Sequence, residues 1–222
     1  FLYTPEAMEA LGEEERAAEL RRNQAFQSIC VLARAVDAKD PSTPRHSEPV
    51  AALAEALART LGWGAERVAL LGEAALVHDV GKIAVPDAIL RKPGALSTHE
   101  REIVQRHVMI GHEMLSGSGD PLLELAASIA LTHHERLDGS GYPQGLIGEQ
   151  IPIEGRIAAV ADVYDALTSA RVYRGALHPR AAFAVMQEGR GTQFDARVLD
   201  ALAAHVEIAI ADAEAAGDGP SS

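Results

Sequence analysis

The apolar residues of this chain recur three and four apart, as on one face of a helix, with no internal repeat and no alternation of strand and helix patterns. Over residues 20–36, Leu20, Ala25, Ile29, Leu32 and Val36 form one stripe, while Glu13, Glu14, Glu15, Arg16, Arg21 and Arg22 supply the charged face. Ala and Leu dominate the apolar set and aromatics make up only 4% of the chain. Ala and Leu are good helix formers, whereas β-branched and aromatic residues mark strands, so the composition and the periodicity agree. Breakers divide the pattern. Asp40–Pro44, Gly62, Gly81, the proline-flanked 86–97 connector, Ser116–Asp120 and the glycine-rich stretch 138–150 separate helices expected over 5–38, 46–61, 66–79, 97–115, 121–135, 153–170, 179–189 and 196–215. Ser97 followed by Glu100 reads as a capping box, and Asp195 as an N-cap. The expected fold is an all-α multi-helix bundle with an N-terminal helix.

The 222 residues suit one large domain, or one with an appendage, and a 47% hydrophobic fraction can fill a core. The formal net charge of −12 argues against a general nucleic-acid binder, whose footprint is basic. It leaves room for a small anionic ligand held by a few local Arg and Lys. The lone Cys30 excludes an intramolecular disulfide and fits a reducing cytoplasm. No apolar run reaches membrane length and no signal peptide opens the chain. The start at Phe1 rather than Met is read as the mark of a piece of a longer protein.

The stretch HHERLDGSGYPQGL, residues 133–146, sets two histidines side by side and follows them with Glu135, Asp138 and a run of glycines. A structural helix has no use for such a cluster; a metal site beside a shaped loop does. His78 and Asp79 form a second adjacent pair, placed in the last turn of the helix ending near 79. Adjacent helical residues diverge by about 100°, so one can ligate one ion while its neighbour reaches a second. Asp162 and Asp165 share a helix face with Ala158 and Ser169, and buried acids need partners, a dication among them. A single helical histidine is usually structural, and His99, His112, His178 and His205 are read so. His46 and His107 join the two pairs and the aspartates as a set too concentrated for that reading.

With these residues in view the chain resembles the HD-GYP domains, a branch of the HD phosphohydrolase superfamily. The matching segments are HDVGKIAVPDAILRKPGAL (78–96), HHERLDGSGYPQGLIGEQIP (133–152), RIAAVADVYDALTSARVYR (156–174) and GTQFDARVL (191–199), with Gly141-Tyr142-Pro143 as the name-giving triplet. The resemblance implies an all-helical HD-type bundle that hydrolyses cyclic di-GMP at a metal centre, over residues 28–212. Residues 1–27 are then a linker or signalling helix and 213–222 a tail. Carried over residue by residue, it implies His46, His78, Asp79, His107, His133, His134 and Asp162 as metal ligands, with Asp79 bridging. It also implies Lys82 and Asp79 as catalytic groups, and Arg171, Arg174 and Lys82 against the substrate, with Tyr142 a further candidate there. Four departures stand out, the first being Arg45, where the family often has Gly. Ser42 occupies a position where some members are thought to use Glu for a third metal, so two metals are expected here. Pro49 replaces a common Arg, but proline is tolerated in a helix's first turn. Val108 follows His107, where proline is common.

The mixed His and carboxylate set suits iron or manganese, with zinc also acceptable. Two ions together would activate water near neutral pH, neutralise the phosphate and stabilise in-line displacement of the 3′ oxygen, with Lys82 at the developing charge. Asp138 is expected to bond the loop backbone. Tyr142 is expected near the rim, against guanine, against a partner such as a diguanylate cyclase, or packed to fix the loop. Products would be pGpG, GMP or both. Other readings are hydrolysis of another cyclic dinucleotide or of pGpG, and a catalytically weak receptor for cyclic di-GMP. The N-terminal helix is read as a linker from an upstream sensor or as a homodimer contact; an ordinary solvated face fits the same charges.

Overall fold

In the computed structural model, which describes residues 5–39, 46–169 and 175–215, helices end where the glycines and prolines stand. They are α1 (Pro5–Lys39), α2 (Ser47–Thr60), α3 (Ala65–Ala75), α4 (Asp87–Leu90), α5 (Thr98–Gln105), α6 (His107–Leu115), α7 (Pro121–Thr132), α8 (Ile153–Thr168), α9 (Pro179–Gln187) and α10 (Ala196–Ala215). Short 3-10 turns occupy Val80–Ala84 and Gly148–Gln150. Among the described residues there is no strand, only the isolated bridges Asp138–Ile147 and Arg190–Phe194. The all-α expectation holds. The Ser97–Glu100 capping box forms in full, and Asp120 caps α7 ahead of Pro121. No described helix is long and apolar enough to cross a membrane.

The core lies where α2, α3, α7, α8 and α10 meet, around Leu57, Leu71, Ile129, Ile157, Val160, Leu199 and Leu202. Each such side chain contributes about 1.5–3 kcal/mol on burial. Ala54, Ala58, Ala74, Ala75, Ala126, Ala130, Ala158 and Ala161 are buried among them. These small side chains let α2, α3, α7 and α8 pack closely, so the ends of α3 and α7 and the middle of α8 converge on one place.

Several boundaries differ from the periodicity. The helix expected over 66–79 stops at Ala75, and His78 and Asp79 sit in the turn beyond it. The helix expected over 97–115 breaks at Arg106 into α5 and α6, and the one expected to 135 ends at Thr132. The 86–97 connector contains α4. The first three differences share a cause: a histidine side chain takes a backbone carbonyl that a continuing helix would use. α1 runs unbroken across 27–28 and α10 across 212–213.

Candidate metal centre

His78 Nδ1 donates to the Ala75 carbonyl at 2.8 Å, and His107 Nδ1 to that of Val104 at 2.7 Å. His133 Nδ1 reaches the carbonyls of Ile129 at 3.0 Å and Ala130 at 3.1 Å. The carbonyls of Ala75, Val104 and Ala130 lie three residues back, and in a continuing helix would accept the amide of the residue after the histidine. Side-chain competition of this kind ends helices. It also fixes the tautomer. A carbonyl only accepts, so the proton is on Nδ1 and the Nε2 lone pair is left for another partner. His78 Nε2, His107 Nε2, His133 Nε2 and Asp79 Oδ1 are all buried without a hydrogen-bond partner among the described residues. One bare buried polar atom costs about 1–3 kcal/mol. Several at one point, all acceptors, fit a cation.

The ligand atoms fall into two groups. Asp79, His107, His133 and His134 each bring one atom within 4.8 Å of the others, and His46, His78 and Asp162 do the same. Asp79 stands between them. Its Oδ1 lies 3.1 Å from His107 Nε2 and 3.7 Å from His133 Nε2, while Oδ2 lies 3.5 Å from His78 Nε2. Lys82 Nζ sits 2.5 Å from the same Oδ2. His46 is held differently from the other three: Nδ1 donates to Asp165 Oδ2 at 2.5 Å, and Nε2 lies 2.9 Å from Asp162 Oδ1. Ser169 Oγ donates to the other Asp165 oxygen at 3.1 Å. A carboxylate behind a ligating imidazole orients the ring and raises its basicity. Asp165 was visible in the sequence as a partner of Asp162 on one face, but its place behind His46 was not.

Electrostatics prepare the set for a cation, which binds deprotonated ligands. Burial pushes His78 down to about 4 and holds His134 well below the usual imidazole range. Burial works against the Asp79 carboxylate, yet Lys82 and His78 outweigh it and hold it well below the ordinary range. Asp162 is likewise buried but is held low by His46 and the neighbouring imidazoles. His46 is the exception. Burial disfavours its cation, but Asp162 and Asp165 raise it to about 10.

The loop after α7 is built on the same residues. A Cβ at Gly141 would lie 2.4 Å from Arg136 N and 2.6 Å from Glu135 Cα, so only glycine passes there. Buried Glu135 accepts the amides of Gln144 at 2.7 Å and Leu146 at 3.1 Å. Asp138 accepts from the Ser140 amide and hydroxyl, as expected. The Tyr142 ring stacks on His134 with centroids 4.9 Å apart. Its phenol is raised by burial and by the charges of Asp79 and Asp162. The structure thus gathers His46, His78, Asp79, His107, His133, His134 and Asp162, with Lys82 and Tyr142 at their edge. Arg171, Arg174 and Ser42 lie outside the described residues. His99, His112, His178 and His205 belong to neither group; His178 accepts the Arg180 amide and His112 bonds the Ala127 carbonyl.

Residues 30–198 match the HD domain family. The chain is 48% identical over 176 residues to the cyclic di-GMP phosphodiesterase response regulator RpfG of Xanthomonas campestris, covering 79% of this chain and 47% of that protein. It is 43% identical to a cyclic di-GMP phosphodiesterase of Thermotoga maritima, over 79% of this chain and 48% of that one. It is 41% identical to 3'3'-cGAMP-specific phosphodiesterase 2 of Vibrio cholerae, over 86% and 36%. The chain therefore spans half or less of the length of these relatives. Among solved structures, a HDG"Y"P protein from Bdellovibrio bacteriovorus aligns with a TM-score of 0.59 at 22% identity, over 74% of this chain and 54% of that one.

Proposed function

The chain belongs to the HD domain family, and on that premise we propose that it is the hydrolytic part of a metal-dependent phosphodiesterase that opens cyclic di-GMP. The observation that supports this most is the convergence of buried, partnerless Nε2 atoms on a carboxylate with one oxygen toward each ligand group. The relatives named cyclic di-GMP phosphodiesterases support the substrate. We assign His46, His78 and Asp162 to one ion, His107, His133 and His134 to the other, and Asp79 to both. Iron or manganese fits these ligands, and zinc is acceptable. When bound, two such ions supply a nucleophilic water near neutral pH and neutralise the phosphate.

The chain's own groups do the rest. The Nδ1–carbonyl bonds keep the imidazoles in one tautomer and one orientation. Asp79 and Lys82 sit together at the junction, and Lys82 is assigned to the charge that develops on the phosphate. Water adds across the P–O3′ bond: a P–OH forms, the 3′ oxygen leaves and takes a proton, and pGpG results, with GMP after a second cut. Tyr142 and, outside the described residues, Arg171 and Arg174 are assigned to the nucleotide. The lone thiol Cys30 suits a cytoplasmic location. The length of the relatives outside the matched part leaves room for a sensor feeding α1. A dimer through α1 and a diguanylate cyclase at the Gly141-Tyr142-Pro143 loop are the partners assigned to the charged N-terminal helix and to Tyr142.

A relative at 41% identity is named for 3'3'-cGAMP, which favours that dinucleotide as the second reading. The test is direct. Protein purified without oxygen is assayed for metal and incubated with cyclic di-GMP and with 3'3'-cGAMP, and the products are separated by chromatography. About two ions per chain and pGpG or GMP from cyclic di-GMP are expected. Faster cleavage of 3'3'-cGAMP selects the second reading. Full metal with neither substrate cleaved overturns the hydrolase.

A further inference from the structure

α2 lacks a cap of its own. Its N-cap position is occupied by His46, whose ring is turned to Asp162 and Asp165 and makes no side-chain cap. The amides of a helix's first turn must find acceptors elsewhere. One is found on another helix. Asp37, in the last turn of α1, accepts the Ser47 amide at 3.1 Å with one oxygen and the Ser47 hydroxyl at 3.0 Å with the other. Both residues are buried, Asp37 at 7% exposure and Ser47 at 4%. The carboxylate also lies at the positive end of the α2 dipole.

The turn that carries Asp37 is itself tied down beside the centre. Lys39 Nζ donates to the Val85 carbonyl at 2.7 Å and pairs with Asp87 at 3.0 Å, and Arg91 Nε donates to the Lys39 carbonyl at 3.0 Å. Val85 closes the 3-10 turn that begins right after Asp79. The last turn of α1 therefore grips both sides of the centre, the His46 side through Asp37 and the Asp79–Lys82 side through Lys39. An exposed ion pair, Arg34 with Glu48 at 3.3 Å, joins the same two helix ends. A cavity of about 400 Å³, lined by Phe26, Cys30, Ala33, Ser47 and Leu76, opens beside Asp37. The two Asp37–Ser47 hydrogen bonds are the buried polar link between the start of α2 and α1.

We propose that Asp37 is a positioning residue for the metal centre: by capping α2 from α1 it fixes His46 in the His46–His78–Asp162 group, so that occupancy of this group depends on where α1 stands. The proposal rests on the two-ion reading above. It gives α1 a route to the chemistry that needs no movement of His78, His107, His133 or His134. Release of the Asp37 cap with the Lys39 ties kept loosens His46 alone and empties one group while the other keeps its ligands.

The test uses the full chain loaded anaerobically with Mn²⁺. Ion stoichiometry and affinity are measured by equilibrium dialysis for the parent chain and for Asp37→Ala, Asp37→Asn and Ser47→Ala, alongside far-UV circular dichroism and thermal melting. The parent binds two ions. Asp37→Ala keeps the affinity of the first ion and binds the second about tenfold or more weakly, in the range for groups that orient a ligand. Asp37→Asn, whose amide oxygen still accepts the Ser47 N–H, restores most of the loss, and Ser47→Ala shows a smaller weakening. A second ion bound at parental affinity in Asp37→Ala, with or without a lower melting point, overturns the proposal. Should Asp37→Ala not fold, Ser47→Ala decides in the same way. A parent chain that binds fewer than two ions sinks the two-ion reading and this proposal with it; two ions at parental affinity in every variant sink the proposal alone.

Discussion

Replacing Gly81 by alanine should separate two ligands of one ion. A Cβ at this position would lie 2.0 Å from the His107 carbonyl oxygen, 2.5 Å from Gly111 N and 2.9 Å from the His107 carbonyl carbon. Carbon–oxygen contacts settle near about 3.3 Å, so the Val80–Ala84 turn and α6 must part by roughly 1.3 Å. All the obstructing atoms are backbone, and none can rotate aside. Asp79 stands two residues before the new methyl, and His107 supplies the carbonyl it meets. The displacement therefore falls between Asp79 and His107, where metal ligands tolerate only about 0.2 Å. Overpacking of this kind costs about 1–3 kcal/mol, which for a chain of this size lowers the melting point by very roughly 2–12 °C. Gly81→Ala should thus stay folded yet lose the ion of the Asp79–His107–His133–His134 group and keep the one beside His46 and Asp162. Elemental analysis after dialysis against Mn²⁺, with a melting curve on the same sample, checks this. Two ions bound as tightly as in the parent would refute the reasoning, whatever the melting point does.

Three further outcomes are expected. Asp165→Ala removes the carboxylate behind His46 and should weaken one ion by about 10–100-fold; an unchanged dialysis isotherm would count against that role. Lys82→Ala should lower turnover of cyclic di-GMP while metal content stays at the parental level, and loss of metal as well would make Lys82 structural. Asp195 caps α10 through the Arg197 amide and pairs with Arg156 of α8 at 2.7 Å, so Asp195→Ala should cost about 3–5 kcal/mol in chemical denaturation at neutral pH. Although burial opposes it, Arg197 and Arg156 hold the Asp195 carboxyl below its ordinary range. Its stabilisation is then complete above the unfolded value of about 4 and fades as pH falls through the folded one. The gap between variant and parent should close in acid, and a gap that widens there would contradict the assignment.

The candidate ligands were legible because each is a side chain whose type announces its chemistry: His78 beside Asp79, His133 beside His134, Asp162 on a face of small residues. The helices were legible where capping residues and breakers bound them, as at Ser97, Gly62 and Asp195. The break at Arg106 and the early ends of α3 and α7 were not. Apolar spacing continues through them, and the competing bond runs from an imidazole to a main-chain carbonyl, which no letter of the sequence records. Glu135 stood out in the sequence but its two amide partners, nine and eleven residues on, depend on how the loop folds back. Asp37 gave no signal at all. An acid in the last turn of a charged helix looks like a solvated residue until α2 is placed against it.

The way the imidazoles are supported also decides how this centre tolerates mutation. His78, His107 and His133 are oriented by carbonyl groups of Ala75, Val104, Ile129 and Ala130. Every amino acid brings the same carbonyl, so these supports survive almost any substitution that spares the helix. His46 is oriented by Asp165 and, through Ser47, by Asp37, and a single base change can erase either. The two halves of the centre thus differ in their inheritance: His107 and His133 of one rest on the backbone, while the other joins backbone-held His78 to a His46 that depends on two replaceable side chains. Under relaxed selection, decay begins at His46, and the first descendants to fail retain one intact half.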